Sequence, residues 1–415
     1  MSPVEFLSIL IDNLRLSWLI VIVISITFFG LWKIIFGKYL NGMIYVQMTS
    51  ILVFSIVVLL FIVQEISNQS FFIFLSSEVF VIVIVSYAYK NLLRITGRLN
   101  MNTKLDRLNS HVIVLLSGLL LILLYDFYLF YNLNSGNSRL THKVSVLYSF
   151  IRIFKNFVSP ILYILLFHNV YLNNKLRSLV IFSFLVLASI FSGSKSGFLI
   201  VLMISYFIYK DLAQVERVFR SSWNVLYFWV MSLSLAMVNL FIMDVDSEHM
   251  IIRIIDFGEA AIMTLPIDNP AETIFKNNSY FSIVHRSLGK LVGDSSSFDL
   301  SSLFGFRLHE YFYGSNTLVG PNARIGAIFY SFFERPIIIL TISIISIFIY
   351  FASSLHSLFK DSNSIHLSYF LILISTYQDV VLDYNKAVSN FTTIIAFFLF
   401  TLLFLTLKKS HVKTV

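Results

Sequence analysis

Apolar runs of about 20 residues recur along the whole chain, and each is the length a helix needs to cross the hydrocarbon core of a bilayer. This repetition constrains the fold more than any motif does. In lipid, every backbone N–H and C=O must be satisfied internally, so such runs predict helices rather than open sheet. The strands of a transmembrane barrel would alternate over about 10 residues, and these runs do not. Composition agrees, with 57% hydrophobic and 13% charged residues, about half the charged share of a soluble domain. The expected fold is an all-α polytopic integral membrane protein. Spans are predicted near 16–36, 43–63, 70–89, 111–132, 146–171, 176–192, 195–209, 223–244, 336–358, 365–384 and 389–408, about eleven in all. The first run is followed by Lys33 rather than a small-residue cleavage site, so it reads as a span and not a signal peptide.

Several function classes drop out. With no cysteine there is no disulfide, thiolate nucleophile or Cys-ligated metal. No HExxH or paired-His spacing occurs, and no metal or other cofactor is expected. The net charge of +8 does not point to nucleic acid, because the basic residues sit mainly between spans, where membrane orientation puts them. The 43 Phe and 21 Tyr read as lipid-facing rings and interfacial belts rather than a sugar-stacking platform.

The same basic residues orient the chain. Lys90, Arg94, Arg98, Lys104 and Arg107 face one acid, Asp106, in the 90–110 loop. Lys175 and Arg177, then Lys210, Arg217 and Arg220, then Lys408, Lys409 and Lys413 mark three further cytoplasmic segments. The chain then divides into a first helical bundle over 1–245, a long outer loop over 246–335 and C-terminal helices over 336–415. The stretch from Asp246 to Pro321 is the one long polar interruption. It holds Arg253, Arg286 and Arg307, His249, His285 and His309, and nine acidic residues. Within it, Met250–Met263 is amphipathic and is expected on the membrane surface. Residues 323–333 are too short to span and are expected as a short outer-face helix before the Pro336-started span.

Ionisable residues inside a membrane are costly and point to function. Asp126, Arg152, Lys155, Lys195 and Asp379 fall at one predicted depth near the outer leaflet, with Asp383 a helical turn beyond Asp379. Asp126 could equally pair with Arg152 for structural reasons, and Asp379 with Asp383 could simply end a helix among headgroups. Adding Arg139, His142 and Lys143 from the outer loop gives a hydrophilic, mainly cationic chamber. Glu78 lies mid-span with no partner the sequence identifies. Arg307-Leu308-His309-Glu310-Tyr311 packs a guanidinium, an imidazole and a carboxylate into five residues. Arginine suits a diphosphate through bidentate geometry, and His309 or Glu310 could take a proton from a sugar hydroxyl.

Three features resemble the O-antigen polymerase and ligase group of bacterial membrane enzymes, in particular its Wzy-type O-unit polymerases. One is the turn Phe191-Ser-Gly-Ser-Lys-Ser-Gly-Phe198 between spans. The second is the long outer loop late in the chain. The third is Gly314-Ser-Asn-Thr-Leu-Val-Gly-Pro-Asn-Ala-Arg-Ile-Gly326 leading into a short helix. An arginine followed eleven positions on by glycine, described in some members, is absent after Arg253, Arg286 and Arg307.

The resemblance implies an enzyme of the bacterial inner membrane with its site facing the periplasm. It would transfer a growing glycan from undecaprenyl diphosphate to an incoming undecaprenyl-diphosphate-linked repeat unit. Its partners would be that lipid-linked oligosaccharide, membrane lipid and a chain-length regulator protein. Arg307, Arg286, His309 and Glu310 would serve the chemistry. Arg139, Arg152, Lys155, Lys195, Arg253, Arg324, Asp126, Asp379 and Tyr311 would line the diphosphate and substrate site. A ligase moving glycan to lipid A-core shares this donor and chamber. A flippase or transporter is the non-enzymatic alternative, against which stand the single dominant loop and the lack of visible internal symmetry.

Overall fold

In the computed structural model the described residues are 1–36, 41–96, 101–132, 146–192, 197–219, 258–275, 304–314, 324–332 and 363–382, with positions 225, 228–230, 232, 322, 387, 390 and 394. Every regular element among them is helical: α1 (Pro3–Asp12), α2 (Leu14–Phe36), α3 (Ile44–Ile62), α4 (Asn68–Thr96), α5 (Met101–Ser110), α6 (Val112–Asn132), α7 (Val146–Tyr171), α8 (Lys175–Ser192), α9 (Gly197–Ala213), α10 (Phe304–Tyr313), α11 (Ile325–Ser331) and α12 (Asn363–Leu382). A 3-10 turn, Asn41–Met43, leads into α3, and Pro270–Thr273 forms a single helical turn. Eight of these helices overlap predicted spans; the predicted spans at 223–244, 336–358 and 389–408 lie largely outside the described residues. Among the described residues three helices are long and apolar enough to cross a membrane: Leu14–Phe36, Ile44–Ile62 and Asn68–Arg94. A fourth candidate joins Thr103–Ser110 to Val112–Leu124 across a 58° bend. The protein is therefore an all-helical chain with the apolar helices of a membrane protein.

Two of these helices differ in their surroundings. In α3, 67% of the most apolar window is buried inside the protein, against 17% in α2. Helix α2 leaves Trp18, Leu19, Ile22, Val23, Ile26 and Ile34 uncovered, a face that only lipid would solvate well. Its other face carries an aromatic ladder one turn apart. Phe28 stacks on Trp32 at 5.5 Å, and Trp32 meets Phe36 at 4.7 Å. Phe28 also reaches Phe54 of α3, at 5.9 Å between centroids. Helix α3 is therefore central and α2 peripheral.

The helix ends are set by local chemistry. Helix α3 closes with Gln64 in the left-handed region (φ 64). The Glu65 N–H bonds the Leu60 carbonyl at 2.9 Å and the Gln64 N–H bonds that of Phe61 at 3.2 Å, the paired bonds of a Schellman stop. Helix α7 ends the same way at Asn173 (φ 59), with Asn174 N–H on the Asn169 carbonyl at 2.8 Å. The Asn174 side chain then accepts from Arg177 N–H at 3.3 Å and starts α8. Two asparagines thus close one helix and open the next, so α7 and α8 fold back as a hairpin.

Two loop segments sit deeper than their sequence suggests. Of the segment expected on the membrane surface, residues 250–257 lie outside the described residues; residues 258–264 are helical, with Ala260, Ala261, Ile262, Met263 and Leu265 buried inside the protein. A side chain at Gly258 would collide with Ile56 of α3. Burying that apolar run inside the protein satisfies it better than leaving one face at an interface. Helix α11 is short, as expected for 323–333, and lies inside the bundle rather than on its surface. All its residues except Tyr330 are buried, and it packs along α4.

Asn173→Val should lower stability by about 1–2 kcal/mol, because a β-branched residue resists the left-handed region. Asn173→Gly should leave stability equal or slightly raised. Thermal unfolding in detergent micelles reads both, and equal behaviour of the two variants would refute the assignment of Asn173 as the hairpin's stop.

Candidate functional site

Helix α4 organises the polar interior. Glu78, ten residues from its start, is fully buried. Its Oε1 accepts from Arg324 Nε at 2.6 Å and its Oε2 from the Gly326 N–H at 2.9 Å. Arg324 Nη2 also donates to Ser50 Oγ of α3 at 2.9 Å. Arg324 is 1% exposed. An ion pair in so dry a place persists only when further hydrogen bonds satisfy both groups, and Ser50 and the Gly326 N–H do that. Gly326 has no room for a side chain, since a Cβ would come within 2.8 Å of both Glu78 Oε2 and the Phe74 ring. The glycine is what lets the start of α11 reach the carboxylate.

From this point α11 runs back along α4. At its other end the Ser70 hydroxyl donates to the Tyr330 hydroxyl at 3.0 Å, and Tyr330 donates to the Ile267 carbonyl at 2.9 Å. These groups border a cavity of about 300 Å³ formed by the start of α4, residues 268–272 and the end of α11. Ser70 is buried at its floor; Ser67, Gln69, Asp268, Asn269 and Glu272 stand exposed around its mouth. Hydroxyls, amides and carboxylates at this density suit a polyhydroxylated ligand. Asn269 is held at φ 54 directly before Pro270, a strained conformation for a residue in that position.

A second polar centre lies at the opposite half of α4. Tyr89 is eleven residues from Glu78, about 16 Å along the axis. The Tyr89 hydroxyl and the Gly42 N–H both donate to Asp211 Oδ2, each at 2.8 Å. The Gly42 carbonyl accepts from Gln378 Nε2 of α12 at 2.7 Å. A Cβ on Gly42 would overlap the Tyr89 hydroxyl, so only glycine fits there. Nearby, buried His168 bridges Asp106 at 2.9 Å and the Tyr209 hydroxyl at 3.2 Å. Asn109 and Asn169 exchange two amide hydrogen bonds at 3.2 and 2.8 Å.

The residues expected to form a cationic chamber have mixed fates. Arg139, Lys195, Arg253 and Arg286 lie outside the described residues, as do His142, Lys143 and Asp383. Asp126 is carried on α6 and Arg152 and Lys155 on α7, but their side chains lie outside the described residues. Arg324 does not line an open chamber; its guanidinium is inside the bundle on Glu78. Asp379 does not sit with the Ser70–Tyr330 cavity. It is buried next to Gln378, at the Gly42 side of the bundle, and accepts from Asn390 at 2.7 Å.

The five-residue cluster on α10 is split by helical geometry. Arg307 Nη1 pairs with Glu310 Oε2 at 2.8 Å, one turn apart. Arg307 Nε is buried without a hydrogen-bond partner among the described residues. Tyr311 shares that side of the helix and is half exposed. His309 projects roughly 160° away around the helix, at 100° per residue, and packs on the Tyr313 ring at 4.7 Å. Partial burial lowers the His309 pKa below its usual value of 6.5, so the imidazole is neutral at pH 7 and able to accept a proton. Arg307, Glu310 and Tyr311 are brought together, while His309 stands apart from them. The Glu78–Arg324 pair was beyond sequence reasoning, because its members are 246 residues apart; the only signal was a mid-span carboxylate with no local partner. Among the described residues no group of three metal-ligating side chains occurs.

Glu78→Leu or Arg324→Leu alone should cost about 3–5 kcal/mol, since each strands a buried charge. The double variant should cost less than the sum. Thermal unfolding in detergent checks this, and strictly additive losses would mean the two side chains do not act as a pair.

Comparison with protein-family models, characterised proteins and solved structures gives no match.

Proposed function

We propose that this chain is a membrane glycosyltransferase of the O-antigen polymerase type. It would transfer a growing glycan from undecaprenyl diphosphate to an incoming lipid-linked repeat unit, at the periplasmic face of the bacterial inner membrane. The reading includes about eleven spans and one long periplasmic loop. The observation that carries it is the cavity between the start of α4, residues 268–272 and α11, because loop segments fold back into the helical bundle to build it. Its lining of Ser67, Gln69, Ser70, Asp268, Glu272 and Tyr330 offers both donors and acceptors to sugar hydroxyls, and its size suits one or two sugar rings.

In this reading an acceptor hydroxyl attacks the anomeric carbon of the donor while the lipid diphosphate leaves. Cations near the leaving group would stabilise the charge that develops there, and such electrostatic stabilisation usually dominates catalysis of this kind. Arg307, with an unpartnered buried Nε, is the described residue best suited to that. Neutral His309 would accept the acceptor's proton.

Deleting the gene and separating surface lipopolysaccharide on a gel should leave one repeat unit on the core with no long ladder. Bare core with polymerised lipid-linked glycan would assign the chain as a ligase, bare core with unpolymerised repeats on the cytoplasmic leaflet would assign a flippase, and an intact ladder would end the reading. Arg307→Ala should shorten the ladder severely with normal membrane insertion, and Arg307→Lys should restore little. Activity carried by His309 should fall as pH drops through its lowered pKa, below 6.5. A pH profile whose acid limb persists in His309→Gln would remove it as the base.

A further inference from the structure

The basic end of the bundle carries a second cleft, distinct from the cavity at Tyr330. It has a volume of about 810 Å³ and lies between the end of α4 and the end of α9. Lys90, Arg94 and Lys210 supply its charge, with Tyr87, Asp211 and Gln214 beside them in the wall. Three cations thus face one carboxylate. That carboxylate already accepts from Gly42 and Tyr89, which fixes it toward the protein interior. Lys90 is held in place: its Nζ donates to the Phe36 carbonyl at 3.1 Å and lies 5.9 Å from the Phe36 ring centre. Arg94 is one turn further along α4, on the same face. Neither Arg94 nor Lys210 forms a salt bridge among the described residues. Tyr87, 61% exposed, stands at the rim as an interfacial aromatic.

We propose that this cleft binds a phosphate-bearing anion, the headgroup of an anionic phospholipid. Unneutralised cations converging between membrane helices are the arrangement that recognises such headgroups. A cleft between helix ends, with an exposed tyrosine at its rim and the uncovered apolar face of α2 close by, gives a lipid its polar and its apolar contacts together. The site is independent of the glycan reading, since none of its residues belongs to that machinery.

The test is native mass spectrometry of the full chain from micelles mixing phosphatidylglycerol with phosphatidylcholine. Wild type should retain phosphatidylglycerol in preference. Arg94→Gln/Lys210→Gln should reduce that preference by roughly tenfold or more; Lys90 is left alone because it also closes α2. A control, Lys175→Gln/Arg177→Gln, removes the same charge at the start of α8, outside the cleft, and should change it by less than about twofold. A separate arm adds inorganic phosphate to protein in phosphatidylcholine alone. Thermal protection by phosphate that the cleft variant loses, with no phosphatidylglycerol preference, would keep the phosphate site but assign it to a water-borne anion. Equal losses in cleft and control variants, or neither lipid preference nor phosphate protection, would overturn the proposal.

Discussion

The buried pair of Glu78 and Arg324 is the interaction on which the rest of the interior depends. It places a loop-derived arginine in the middle of a membrane helix, where neither charge could stay alone. It joins α3, α4 and α11 through Ser50, Glu78 and the Gly326 backbone. Once the start of α11 is fixed there, the direction of α11 along α4 brings Tyr330 to Ser70. The cavity wall follows from that contact. A polar site at one end of the bundle is thus positioned by an ion pair some 12 Å deeper, at eight residues of helix rise.

The rest of the polar interior follows the same economy of hydrogen bonds. Hydroxyls on α3 turn back to their own helix, as Thr49 does to the Tyr45 carbonyl and Ser55 to that of Ile51. Carboxylates instead recruit backbone N–H groups at glycines, Gly326 for Glu78 and Gly42 for Asp211. In both places the missing side chain is what allows the approach. Two sites built on unlike elements therefore share one solution to the problem of keeping a carboxylate within a low-dielectric bundle.

Much of the class was legible in the sequence, because runs of apolar residues are local signals. The limits of α2, α3 and α8 lie close to those expected, set by Phe36, Val63 and the Asn173-Asn174 pair. Depth was not legible. Arg324 sits at the exit of a polar loop and reads as a cation of the substrate site; only its partner, 246 residues earlier, reveals where it goes. The apolar half of 250–263 reads as one face of a surface helix, since periodicity cannot say whether lipid or protein covers it. Asp379 reads as a helix end in headgroups, whereas Gln378 beside it draws α12 toward Gly42. The compactness of Arg307-Leu308-His309-Glu310-Tyr311 in sequence was misleading for a simpler reason: helical geometry sends neighbours to different sides.

At Ser70, Glu78 and Tyr89 helix α4 is matched to particular groups on other parts of the chain. These act as register pins. A slip of α4 by a single residue would move all three by 1.5 Å and turn them by 100°, so every match would fail together. Any working cycle must therefore use α4 as its fixed axle, and movement falls first to peripheral α2, greased on its outer side and tied to α4 through Lys90 at its end.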